Sequence, residues 1–398
     1  MMTRLNKYLT CLTVFTIIPL SGMATDIYVP SLPAIKEYLD TSVPLTQLSV
    51  SIFMLTLGFF QLIAGPLSEH FGRKINLIAG CVLFIIASYF AAHAESIHFF
   101  LWMRFFQGIA ISLTATTART IFPDIFSGTE YYKMMNYSTI AWAIGPIVSP
   151  AVGGFLQTHF GWHANFYCLA IYTTFVLIFS SLMPETITKK TAFNFKAAFQ
   201  NYKTIIKHKT FICAFLIISI AYAIVTIFYI VGSFLIQVEL NYSPLFYGNL
   251  ALLLGLAWFI GNITNRIFIK SDPIKKIGAG ILSVVLVSTS MVIFDSLTTL
   301  NLPTIFVPTF FLIVASGLIF PNGYGLCMRL FPDMSGYASA TMGACLFACA
   351  ALISAGATLL QTHDSMPLSL CYAGISIILL IIYRYGLKPS TEKTLAGN

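Results

Sequence analysis

Long apolar runs separated by short polar links dominate the chain. A helix that crosses a bilayer needs about 20 mostly apolar residues. Twelve runs meet that length, at approximately 8–30, 45–67, 75–94, 97–121, 135–157, 164–183, 211–238, 245–268, 277–295, 302–329, 336–361 and 366–386. The exceptional link runs from Pro184 to Thr210 and is polar and lysine-rich. The pattern predicts an all-α polytopic membrane protein with an N-terminal six-helix bundle over 1–183. A cytoplasmic basic linker follows over 184–210, then a C-terminal six-helix bundle over 211–398 with a short cytoplasmic tail.

Composition agrees. Hydrophobic residues make up 57% of the 398, charged residues 9%, and the mean hydropathy is +0.83. Soluble domains carry about 25% charged residues. The net charge of +8 is unevenly placed. With the N-terminus inside, the inner segments hold Arg4, Lys7, Arg73, Lys74, Lys133, Lys270, Lys275, Lys276, Arg329, Arg384, Lys388 and Lys393. The linker adds Lys189, Lys190, Lys196, Lys203, Lys207 and Lys209, while Arg119 and Arg266 lie near inner helix ends. Only Lys36 falls outside and only Arg104 deep within a span. The positive-inside rule then places both termini in the cytoplasm, as in a bacterial cytoplasmic (inner) membrane protein. The basic linker reads as an anchor at an anionic membrane surface, not a nucleic-acid patch.

Several chemistries are excluded on the same page. No Gly-x4-Gly-Lys-Ser/Thr loop is present to cradle a nucleotide, and there is no HExxH or nucleophile–base constellation. An enzyme is therefore not expected. The eight cysteines all fall in apolar runs without metal-ligand spacing, so they read as small buried hydrophobes and no metal is expected. The basic start and first apolar run suit a signal peptide, but no A-x-A site follows and an uncleaved helix is expected. Asn322-Gly323-Tyr324-Gly325 is similar to a potassium filter, yet it lies within a long helical run rather than a re-entrant loop.

Two charges lie where hydrocarbon is expected. Asp26 is about 18 residues along an outward-running helix, ~27 Å at 1.5 Å per residue. Arg104 lies roughly two turns into an inward-running helix. Both belong to the outer half of the membrane, where they could meet. An ionised carboxylate there costs at least ~2.5 kcal/mol, so its retention asks for a function.

Three motifs carry a family resemblance. Gly65-Pro66-Leu67-Ser68-Glu69-His70-Phe71-Gly72-Arg73-Lys74, between helices two and three, resembles motif A of the major facilitator superfamily, with Glu69 replacing the usual aspartate. Arg104, Gln107 and Gly108 resemble motif B. Gly145-Pro146-Ile147-Val148-Ser149-Pro150-Ala151-Val152-Gly153-Gly154 resembles the antiporter signature, motif C, with Ser149 in place of a glycine. A small-residue packing face alone would also account for that run. Asp26 through Ile35, Arg119 through Asp124, Gly161-Trp162 with Phe166, and Gly317 through Asn322 resemble the Bcr/CflA drug-resistance subfamily of drug:proton antiporters. Departures are His163 where arginine is usual, Ser233 where proline is usual, and a degenerate second motif A near Gly261 to Arg266.

The resemblance implies a fold of two six-helix bundles that alternate access to a central cavity. It implies that Glu69 locks the cytoplasmic side, against the N-terminus of helix eleven near Ser335 or against Arg119. It implies proton-coupled efflux of small organic molecules, with multidrug or antibiotic substrates and no cofactor beyond the proton gradient. An exporter of a siderophore or metabolite, a proton-coupled importer and a non-transporting membrane sensor are the alternatives. The expected partners are a small-molecule substrate, protons and the lipid bilayer; no obligatory protein partner is expected and a monomer suffices.

Three roles for Asp26 remain open: an interfacial or capping residue ahead of Pro30 and Pro33, a direct ligand for a cationic substrate, and the proton carrier. The last fits best. Burial favours a neutral carboxylic acid and a neighbouring arginine favours the charged one, so the Asp26–Arg104 pair is the expected proton-coupling site. An apolar, aromatic cavity would accept varied amphipathic molecules, and Tyr28, Phe53, Phe228 and Tyr229 are its expected walls.

Overall fold

The computed structural model describes residues 4–187, 195–268, 270–331, 334–359 and 363–387. Lys189, Lys190, Lys388 and Lys393, which the charge count uses, lie outside them. The described residues are helical, with no strand among them, and twelve spans are long and apolar enough to cross a membrane. The chain forms two compact units, one of residues 1–196 with 244–249, the other of 197–243 with 250–398.

The first unit begins with α1 (Arg4–Asp26), a single 3-10 turn (Val29–Ser31) and α2 (Leu32–Tyr38). The break after Asp26 has a local cause. Pro30 and Pro33 lack backbone N–H donors and disfavour helical backbone just before them, so each begins a new helical segment. Then come α3 (Val43–Phe71), α4 (Arg73–Ala92), α5 (Ile97–Ile125), α6 (Gly128–Phe160) and α7 (His163–Leu182). Ser42 and Ser96 cap α3 and α5 by accepting the N–H of Leu45 and Phe99. Helix α5 lies against α3 and α4, α4 against α7, and α1 against α5, α6 and α7.

One apolar cluster joins α1, α4, α5 and α7 through Val14, Ile17, Leu77, Cys81, Ile121, Phe122 and Val176. Polar side chains tie the helices at intervals. Asn76 donates to Thr117 at 2.7 Å and Asn165 donates to Ser31 at 2.7 Å. Between apolar helices such bonds contribute on the order of 1 kcal/mol each, and they set which faces meet.

The second unit holds α8 (Phe195–Lys207) from residue 197 on, α9 (Lys209–Ile227), most of α10 (Pro244–Ile267), α11 (Pro273–Leu297), α12 (Leu302–Arg329), α13 (Ser335–Ala357) and α14 (Met366–Ile381). Helix α9 lies against α12 and α13, and α11 against α12 and α14. Beyond Ile227 the seventh span widens into π-helical turns at Phe228–Gly232 and Leu235–Glu239. Helix α8 occupies part of the stretch expected to be linker.

Candidate functional site

Asp26 is the last residue of α1 and is only 3% exposed. Its carboxylate accepts no hydrogen bond and forms no ion pair among the described residues. A buried carboxylate with no donor fixed on it is rare, because desolvation is then unrepaid.

Arg104 lies beside it on α5, fully buried. Its Nη1 donates to the Ala24 carbonyl at 3.2 Å and to Gln107 Oε1 at 2.6 Å. The guanidinium is held between two rings, 4.3 Å from the Tyr28 centroid and 4.2 Å from that of Phe53, where the ring quadrupoles attract its charge. Its Nε and Nη2 have no hydrogen-bond partner among the described residues. Gln107 is held in turn, donating to Ser88 at 2.8 Å. A Cβ at Gly108 would crowd the Phe53 carbonyl and Thr56, so glycine there lets α5 approach α3. Tyr28 donates to Ser49, which itself donates to the Thr46 carbonyl.

Arg104 reaches the backbone two residues before Asp26, not the carboxylate itself, because Tyr28 and Phe53 hold its guanidinium plane. Tyr28 and Phe53, expected as cavity walls, are both fully buried and clamp Arg104. Phe228 is also fully buried and Tyr229 nearly so, on the first π turn after α9. A cavity of about 640 Å³ opens in the second unit between the ends of α13 and α14, and it is lined by none of these four.

Motif C brings the backbone of α6 against that of α1. A Cβ on Gly145 would strike the Pro19 carbonyl, one on Gly22 the Pro146 ring, and one on Gly153 the Ile27 carbonyl. The seam therefore ends one residue from Asp26. Pro150 and Ser149 are buried between these levels, and the Ser149 hydroxyl has no hydrogen-bond partner among the described residues. A Cβ on Gly154 would meet Pro244 and Leu245 of the same unit. Sequence spacing shows a small-residue face; it does not show that the face is spent on α1.

Motif A forms the turn from α3 to α4 around Gly72, whose φ of 108° lies where side chains are rarely tolerated. Arg73 donates from Nε to Asp124 at 3.0 Å and from Nη1 to Ser68 at 2.9 Å. Glu185 caps α4, accepting the N–H of Arg73 at 2.9 Å and of Lys74 at 3.2 Å, with its charge at the helix's positive end. Thr186 donates to the same Asp124 oxygen. Gly65 and Leu67 lie half-buried along α3, while Glu69 is exposed at its end.

The expected Glu69–Arg119 lock is not formed, since Arg119 makes no ion pair among the described residues. The start of α13, the other expected partner, belongs to the second unit. The pair that does form is Arg73–Asp124, with side chains 7% and 19% exposed. Asp124→Asn should cost about 2 kcal/mol, between the values for exposed and buried pairs. Arg119→Gln should stay within about 0.5 kcal/mol of the parent. Thermal unfolding in detergent separates the two; equal effects would show that the Arg73–Asp124 pair does not stabilise the motif A turn.

Helices, spans and site describe a polytopic membrane transporter. Residues 14–357 match the model of the Major Facilitator Superfamily, and the chain belongs to that superfamily. It is 23% identical over 392 residues to a "Bicyclomycin resistance protein homolog" of Haemophilus influenzae, covering 96% of each chain. It is 25% identical over 373 residues to "Multidrug resistance protein D" of Escherichia coli, covering 91% of this chain and 92% of that one. These relatives are consistent with the Bcr/CflA group of drug:proton antiporters.

Among solved structures, the peptide transporter POT superposes with a TM-score of 0.77 at 13% identity, over 96% of this chain and 94% of that one. A D-xylose–proton symporter gives 0.76 at 13% identity, over 95% and 98%. Both show the fold alone. The chain is thus a multi-pass transporter of small molecules and not an enzyme.

Proposed function

We propose that this protein exports small organic molecules, of the drug-like kind named in its relatives, in exchange for protons. The observation that carries the reading is the buried Asp26 carboxylate, which no donor among the described residues holds, beside an arginine with two nitrogens unpaired among them. Among the described residues no hydrogen-bond donor is fixed on that carboxyl, so its charge answers to what stands next to it: water, proton or substrate. A proton taken up on the outer side can then be released when substrate or cytoplasmic water reaches the same place.

Arg104, locked by Tyr28, Phe53 and Gln107, supplies a fixed positive field for this exchange. We place the protein in a bacterial inner membrane with both termini cytoplasmic, following its basic residues. It works as a monomer and uses no cofactor beyond the proton gradient.

Inside-out vesicles with an acidic lumen test this. Adding antibiotics and siderophores in turn should release luminal protons for at least one compound. Proton release that requires compound preloaded in the lumen would indicate import. No release with any compound would overturn the export reading.

A further inference from the structure

Helix α8 presents two chemistries on neighbouring faces. Phe199 and Ile206, seven residues apart and so on one side of a helix, are 57% and 44% exposed. Lys203 and Lys207, four residues apart, form an exposed row beside them. The remaining side attaches the helix to its unit: Ile205 is fully buried, and the Tyr202 ring lies 5.3 Å from Tyr337 in the first turn of α13. The helix cannot turn these faces inward without losing that attachment.

Position narrows the occupant. Only His208 separates α8 from α9, a membrane span, and its ring lies 5.5 Å from Phe331, just past the end of α12. Helix α8 therefore sits level with the ends of three spans. Water satisfies the lysines there but not Phe199 and Ile206; hydrocarbon does the reverse. The boundary between acyl chains and anionic headgroups satisfies both at once.

We propose that α8 is a binding site for anionic phospholipid. Phe199 and Ile206 enter the acyl boundary, and Lys203 and Lys207 hold the headgroup phosphates. The inference needs only that the protein spans a membrane, so it stands or falls separately from export.

The test uses the full chain in phosphatidylcholine nanodiscs with a rising fraction of phosphatidylglycerol, followed by amide hydrogen exchange. Protection of α8 should rise with phosphatidylglycerol and weaken at high salt. Lys203→Gln with Lys207→Gln, which keeps helix propensity, should weaken the lipid response by about fivefold per lysine removed. Phe199→Ser with Ile206→Ser should abolish it. Lys270→Gln with Lys275→Gln removes the same charge from the α10–α11 link and the first turn of α11 and should leave it unchanged. Equal protection of α8 with and without phosphatidylglycerol would overturn the proposal in favour of a protein-covered face. An equal loss in the Lys270/Lys275 pair would reduce it to unspecific surface charge.

Discussion

Asp26→Asn protein folds as well as the parent but shows no substrate-driven proton release above that of protein-free vesicles. The amide matches the carboxyl in size and cannot carry a proton. Stability should hold because the parent carboxylate makes no hydrogen bond among the described residues. Removing a hydrogen-bonded buried group leaves its partner unsatisfied, at a cost of about 1–3 kcal/mol; among the described residues Asp26 has no such partner. The unfolding midpoint should therefore correspond to a change under about 1 kcal/mol.

That combination separates the roles open to Asp26. A structural acid would lose stability on substitution and leave the coupling of surviving protein intact. A group that only binds a cation would lose affinity and keep protons coupled to the substrates it still accepts. Asp26→Glu, which keeps the acid on a longer stem, should retain part of the flux. Full proton release by Asp26→Asn would remove Asp26 from the coupling step.

The geometry around that acid divides what a sequence reveals from what it does not. Span positions are legible, because the hydrophobic length of a bilayer is written directly in the apolar runs. Their ends are less so: α6 starts at Gly128 and α3 runs on to Phe71, since helices continue on polar residues past the hydrocarbon that hydropathy detects. Depth is legible too, and it brings Arg104 near Asp26.

Partnership is not legible. Arg104 takes the Ala24 carbonyl, Tyr28 and Phe53 become its clamp, and Arg73 pairs with Asp124 across 51 positions. Glu185 caps α4 from 112 positions away. Helical period and depth assign a face and a level, but the choice of neighbour depends on how helices cross. That choice is made by close-approach sites such as Gly108, Gly145 and Gly153, whose spacing does not name the opposing helix.

Gly153→Ala should be the most damaging single-methyl change in this chain's antiporter-like motif. The new Cβ would fall on the Ile27 carbonyl, which is backbone and cannot rotate away. Helix α6 would have to retreat from α1 along the seam that Gly145 and Gly22 also close. Overpacking of this kind costs up to about 3 kcal/mol, and because the retreat is centred one residue from Asp26, proton coupling should fail even where folding survives. Gly325→Ala is the matched control, since nothing lies within 4 Å of a Cβ there. Near the C-terminal end of α12 it should be neutral or stabilising by up to about 1 kcal/mol. Thermal unfolding of both variants, with the vesicle assay on whatever folds, reads the two effects separately. If Gly153→Ala unfolds at the parent's midpoint and keeps full substrate-driven flux, the α1–α6 seam is not what holds Asp26 in place.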